Sequence, residues 1–184
     1  TSGGTIHEAV DGTAFTAYIS GGKARAMVTS VTGLDHLEGE TISVLADGAV
    51  HPDKTVASGA ITLDYAAGRV QAGLPYTHRW KSLKDTAGAA RGTPMGQTKR
   101  YHGLTLIVKD ALNSKVGPDT DNLYEVPFRE VGDAMDTAVP LFTGEVYVDF
   151  YGDWETDPRI VIEGVAPVPA TYLAIAPRVT VNEL

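Results

Sequence analysis

The stretch "GEVYVDFYG" at 144–152 alternates without a break. Val146, Val148 and Phe150 fall on one side, and Glu145, Tyr147, Asp149 and Tyr151 on the other. A period of two places successive side chains on opposite faces of an extended chain, so this run predicts a half-buried β-strand. The pattern recurs along the chain and a 3.6-residue period hardly appears. The backbone can then satisfy its hydrogen bonds only by pairing strands, which confines the chain to sheets.

Other runs repeat the pattern between turn signals. "TAFTAYIS" and "KARAMVTSV" flank Gly21-Gly22 and predict a hairpin. In "TISVLADG", Ile42, Val44 and Ala46 share a face, and Asp47-Gly48 supplies the turn. "HPD" at 51–53 is expected to break the ladder, because Pro52 donates no hydrogen bond. "SGAITLDYAAGRVQAGLPY" reads as a second hairpin, with Ile61 and Leu63 aligned on one strand and Val70, Ala72 and Leu74 on the other. In "YHGLTLIVKDAL", Leu104, Leu106 and Val108 align, and "PRIVIEG", "ATYLAIAP" and "RVTVNEL" predict three further strands. Residues 84–99 and 113–140 are rich in turn formers and read as long loops, the second with a short extended piece at "LYEVPF". The fold class expected is all-β, a small β-barrel or β-sandwich module with long interface loops. Residues 1–32 are read as an N-terminal hairpin segment and 33–184 as the main β-module.

Composition narrows the function classes. Among 184 residues there are 23 Asp and Glu against 15 Lys and Arg, for a net charge of −8. That balance argues against a general grip on nucleic acid, which needs clustered cations, though a like-charged wall lets DNA slide past. There is no cysteine, which excludes disulfides and thiolate metal sites. No apolar run reaches the ~18 residues of a membrane helix, and no membrane insertion is expected. The start at "TSGG" without Met reads as a processed product or an excised fragment.

Chemistry-bearing groups are numerous but lack signatures. His7, His36, His51, His78 and His102 show no HxH or HExxH spacing, and His51, ahead of Pro52 in a turn, is expected to be exposed. Asp153, Glu155 and Asp157 in "DFYGDWETDPR" are spaced like part of a calcium loop, without its glycine and its bidentate Glu. Asp119 and Asp121 in "GPDTDN" suit a turn. Glu38 or Glu40 with Asp47 or Asp64 could form a glycosidase pair only at a fixed separation. No GxSxG elbow or phosphate-binding loop is present. The reading is therefore of a protein that is not an enzyme, with no catalytic residue, no metal site and no cofactor. The candidates for ligand or interface contacts are aromatic: Trp80, Tyr101, Tyr151 and Trp154, joined by Tyr147, with Arg79, Arg100 and His102 as neighbouring polar groups.

A set of motifs goes further. "GLDHLEG", "VLADGAVHPDKTV", "GAITLD" and "VQAGLPY" are followed in order by "GQTKRYHGLTLIVKDALNSKVGPD", "LYEVPFRE", "PLFTGEVYVDF" and "PRIVIEGVAPVPATYLAIAPRVTVNE". Together, over roughly 33–183, they resemble a module of tail proteins of double-stranded DNA bacteriophages. The resemblance is to the nozzle, or tail tubular protein B, of short-tailed phages and to tail-tip hub proteins. It implies a virion structural protein that forms a ring of its own copies, hexameric in a nozzle, around the DNA-ejection channel. Adaptor and fibre proteins would be its neighbours, and the genome would pass without specific binding. Residues 1–32 carry none of these motifs. Two rival readings remain: a receptor- or carbohydrate-binding module at the tail tip, and a tail-associated hydrolase.

Overall fold

The computed structural model describes residues 17–20, 23–86, 93–129, 132 and 138–182. Among them there is no α-helix, every strand pairing is antiparallel, and no sheet closes into a barrel. The all-β expectation holds, and the open sheets agree with its sandwich form. The described chain divides into two compact units that meet in sequence at Pro75 and Tyr76.

The first unit contains β1 (Ala17–Ser20), β2 (Lys23–Ala26), β3 (Val28–Thr32), a 3-10 turn at Asp35–Leu37, β4 (Thr41–Ala46), β5 (Ala49–Thr55), β6 (Ala60–Ala67) and β7 (Val70–Gly73). β1 and β2 pair from Ala17↔Ala26 to Ser20↔Lys23, as the flanking alternation suggests. β3 pairs with β6, so residues 28–32 belong to the same unit as the segment that follows them. β4 runs between β5 and β7. Asp47 and Gly48, with φ of 50° and 87°, form the tight turn between β4 and β5.

Two expectations fail here for physical reasons. β5 continues through Pro52 instead of stopping before it. It lies at a sheet edge, and the register shifts so that Ser43 stands opposite both Pro52 and Asp53. A bulge on an edge strand is a place where a missing N–H costs no ladder bond. β6 and β7 do not form a hairpin, because β6 pairs with β3 and β7 with β4. The chain changes sheets at Gly68-Arg69, whose N–H groups are taken by the Asp47 carboxylate at 2.7–3.2 Å. Between the sheets lies a core of Ile42, Val44, Ala46, Val56, Ile61, Leu63 and Ala67.

The second unit contains β8 (His78–Lys81), β9 (Lys99–Ala111), β10 (Lys115–Gly117), β11 (Tyr124–Glu125), β12 (Phe142–Asp149), β13 (Val161–Gly164) and β14 (Thr171–Val181). One sheet has the order β11-β10-β13-β8 and the other β12-β9-β14. Their inner faces share one core. Leu104, Leu106 and Val108 of β9 and Val146 and Val148 of β12 meet Val116 and Ile162 from the other sheet. The alternation of β12 is borne out: Val146, Val148 and Phe150 are buried, while Glu145, Tyr147, Asp149 and Tyr151 are exposed. On the outer face of the first of these sheets, Glu125, Lys115, Glu163 and Arg79 stand side by side across four strands. Opposite charges facing one another across strands suit a solvated face.

Three expectations change in this unit. Residues 171–181 form one strand, not two, because Pro177 sits on an edge strand between two register shifts. The stretch 113–129 is more than loop: it holds β10 and β11 and buries Val116, Val126 and Phe128. The stretch 84–99 does not end as loop: its last residue, Lys99, opens β9 and is fully buried.

Leu106 is completely buried on the central strand, whereas Leu141 is about half exposed. Leu106→Ala is expected to lower unfolding stability by ~2–5 kcal/mol, and Leu141→Ala by less than about 0.5 kcal/mol. Urea denaturation of the two variants checks the contrast.

Candidate functional site

Three of the four carboxylates that suggested a hydrolytic pair, Glu38, Asp47 and Asp64, are engaged in holding the chain in shape. Glu38 accepts the N–H groups of Ser58 and Gly59 at 2.8 and 2.7 Å, closing the turn before β6. Both bonds favour the ionised form, so its carboxyl sits below the usual range. Gly59, at φ 66°, is also the residue the Asp35 carboxylate crowds, and a Cβ there would collide with it. Asp47 ties the turn at 47–48 to Gly68-Arg69. Asp53 accepts the Ser43 hydroxyl at 3.0 Å. Asp64 accepts from Lys54, and that bond lowers its carboxyl below the ordinary value.

His51 is not exposed; it is 1% accessible and lies within β5. The Asp64 N–H points at its Nε2 at 3.0 Å, and its Nδ1 is 2.8 Å from the Pro52 carbonyl. An N–H can only donate, so Nε2 is the acceptor and Nδ1 carries the proton given to the carbonyl. Its ring leans on Tyr65 at 5.1 Å. The bulge at Pro52 turns the imidazole inward, which the His-Pro pair alone did not reveal. The remaining histidines are dispersed. His36 lies exposed in the 3-10 turn, His78 covers Gly164 across the strand pair, and His102 approaches the Thr180 hydroxyl at 3.4 Å. His7 lies outside the described residues.

The calcium-like acids do not converge. Asp157 pairs with Arg159 at 2.8 Å, and Glu155 exchanges backbone hydrogen bonds with Lys99. Asp119 accepts the N–H groups of Asp121 and Asn122, which makes its loop a side-chain-closed turn. Among the described residues no group of three or more His, Asp or Glu side chains gathers in a way that could hold a metal ion.

The aromatic candidates occupy different places. Tyr147 projects from the outer face of β12 over Gly103, where a Cβ would strike its ring, and Arg178 of β14 stacks on it at 4.8 Å. Tyr151, just beyond β12, meets Tyr124 of β11 edge-to-face at 5.2 Å. Trp154 is about half exposed. Trp80 and Tyr101 alone come together, in a cleft of about 720 Å³ between the edge strands β8 and β14. Leu83, Ile162, Leu173 and Ile175 complete its apolar wall. Trp80 pairs with Ile162, so its indole continues the inner face of its sheet to the rim. Tyr101 is the floor, packed on Phe150 and hydrogen-bonded to the Asp85 carboxylate at 3.3 Å. Burial first, and then the charge of Asp85, pushes its hydroxyl up to about 12.

Leu83 and Leu173 escape sequence reading. Leu83 is isolated in the polar run "KSLKD", and Leu173 sits at the β-bulge that shifts the register of β14. Lys99 escapes it too: its ammonium is buried and donates to the Asp85 carbonyl at 2.8 Å. No model of a known family matches the chain, and no curated protein matches it. No described helix is long and apolar enough to cross a membrane.

The depressed carboxyl of Glu38 gives the first unit an acid-sensitive turn. A carboxyl with a lowered native pKa contributes stability above its unfolded value near 4.5, and that contribution is lost as pH falls through the native value. Melting temperature is therefore expected to drop on acidification below about pH 4.5, and Glu38→Gln is expected to flatten that acid limb. Thermal melts of the two proteins from neutral to acid pH check this.

Proposed function

We propose that this chain is a structural module of a bacteriophage tail, part of a nozzle or hub, and works as a scaffold without catalysis. The observation that carries the reading is the use of its polar groups. Glu38, Asp47, Asp119 and His51 are all spent on backbone N–H and C=O groups of turns, a bulge and strand β6. A hydrolase needs such groups aimed at a substrate. Tail-like motifs over roughly 33–183 and a net charge of −8 add support, since acidic walls do not retain passing phosphates. In this reading copies of the chain close into a ring through one interface repeated around an axis. Adaptor and fibre proteins neighbour that ring, and no cofactor takes part. The purified chain at high concentration is expected to show rings with an axial channel by negative-stain imaging. Uniformly single particles would overturn the reading.

A second reading, carbohydrate or receptor binding at a tail tip, is favoured by one observation: the half-exposed indole of Trp80 over the cleft floored by Tyr101. Indole faces stack on apolar ring surfaces. Saturable binding on a glycan array, abolished by Trp80→Ala, is the expected outcome of this reading. A silent array would leave the scaffold as the better account.

A further inference from the structure

We infer that His51 is a two-position switch between the sheets of the first unit: its neutral ring holds the main chain of β6, and its protonated ring holds a side chain of β6 instead. The unit contains the sheets β3-β6 and β5-β4-β7, and His51 stands on β5, at an edge of the second. The register of β3 with β6 steps from Val28↔Ala67 to Ser30↔Thr62, so residues 63–66 stand against Thr29 alone. Such an excess of residues on one strand is a bulge. From it, Asp64 reaches across to His51 in the other sheet.

One residue offers the same ring nitrogen two opposite partners. The Asp64 backbone nitrogen donates to His51 Nε2 at 3.0 Å, and the Asp64 carboxylate Oδ2 lies 3.5 Å from that same Nε2. A neutral ring protonated on Nδ1 can use only the donor, because its Nε2 carries a lone pair. An imidazolium carries a proton on both nitrogens and can use only the carboxylate. Nδ1 is protonated in both states, so its bond to the Pro52 carbonyl at 2.8 Å is kept and the ring need not turn over. The His51 side chain is 0% exposed and that of Asp64 55%, so the carboxylate has room to close in on a ring fixed by packing. Protonation then leaves the Asp64 N–H to find another acceptor.

Few other charges bear on the ring. Its partner across the sheet is Val44, and β3, β4 and β7 carry no titratable side chain. β6 contributes Asp64 and Tyr65, whose ring lies 5.1 Å from the imidazole. β5 itself contributes Asp53, which accepts the Ser43 hydroxyl, and Lys54. Lys54 donates to Asp64 Oδ1, which leaves Oδ2 for the imidazole. That bond holds the Asp64 carboxyl below its ordinary value, so it remains a carboxylate at the pH where histidines change charge. Asp64 therefore attracts an imidazolium at this position, and Lys54 repels it.

Nuclear magnetic resonance of the full chain labelled with nitrogen-15, titrated from about pH 8 to about pH 5, tests the switch. At the alkaline end His51 is expected to show a proton on Nδ1 and a bare Nε2, and at the acid end a proton on each. The Asp64 amide proton should move upfield with the same midpoint as it loses its acceptor. Asp64→Asn removes the attracting charge and should lower that midpoint by at least about 0.5 pH unit. Lys54→Gln removes the repelling charge and should raise it. Neither variant touches the apolar core of the unit, and a general loosening would not shift the midpoint in opposite directions. A His51 ring that stays neutral throughout would overturn the inference. So would an Asp64 amide that ignores the titration of His51, or two variants that move the midpoint the same way. None of these outcomes bears on whether copies of the chain form a ring.

Discussion

The second unit depends on the burial of one strand. β9 runs between β12 and β14, and its Leu104, Leu106 and Val108 are closed off from water completely or nearly so. Each of these side chains contributes about 1.5–3 kcal/mol on transfer out of water, and each does so only if the neighbouring strands keep their register. A one-residue slip would turn all three to the solvent face. The opposite face tolerates what the inner one does not. There Gly103 leaves room for the Tyr147 ring, which Arg178 then covers from β14. Aromatic cover over a strand glycine restores packing that the missing side chain would otherwise forfeit.

In the interior, the polar groups of His51 and Lys99 meet hydrogen-bond partners. His51 is held by a donor on one nitrogen and an acceptor on the other, which is how a buried imidazole avoids an uncompensated polar atom. Lys99 is a rarer case, a buried cation donating to a backbone carbonyl beside the Tyr101–Asp85 pair. Such side chains would draw attention in a search for catalysts. Their partners show that much of their hydrogen-bonding capacity is committed to the fold.

Much of this was legible in the sequence, and the failures have a common origin. Period-two runs gave the inner faces of β4, β6, β9 and β12, because alternation is a local property. Asp47-Gly48 named its own turn for the same reason. Pairing between strands is not local. Whether β6 meets β7 or β3 depends on which acceptor takes the Gly68 and Arg69 N–H groups, and that acceptor lies 21 and 22 residues away. Prolines misled for a related reason: Pro52 and Pro177 break a central strand but not an edge, and edge position is a property of the assembled sheet. Residue type singles out the aromatics but carries no position in the fold, so they lie scattered. Trp80 and Tyr101 came together because cross-sheet packing joins them, and the leucines that complete their cleft carry no local signal.

Asp47 also orders events in time. The hairpin around it closes from neighbours in the chain, and such hairpins form within about 1–10 μs. Its carboxylate is then already in position when the chain bearing Gly68-Arg69 arrives. A local, fast step thereby prepares the anchor for a slower, distant one, and the crossover between sheets starts from a fixed point instead of a diffusive search by both partners.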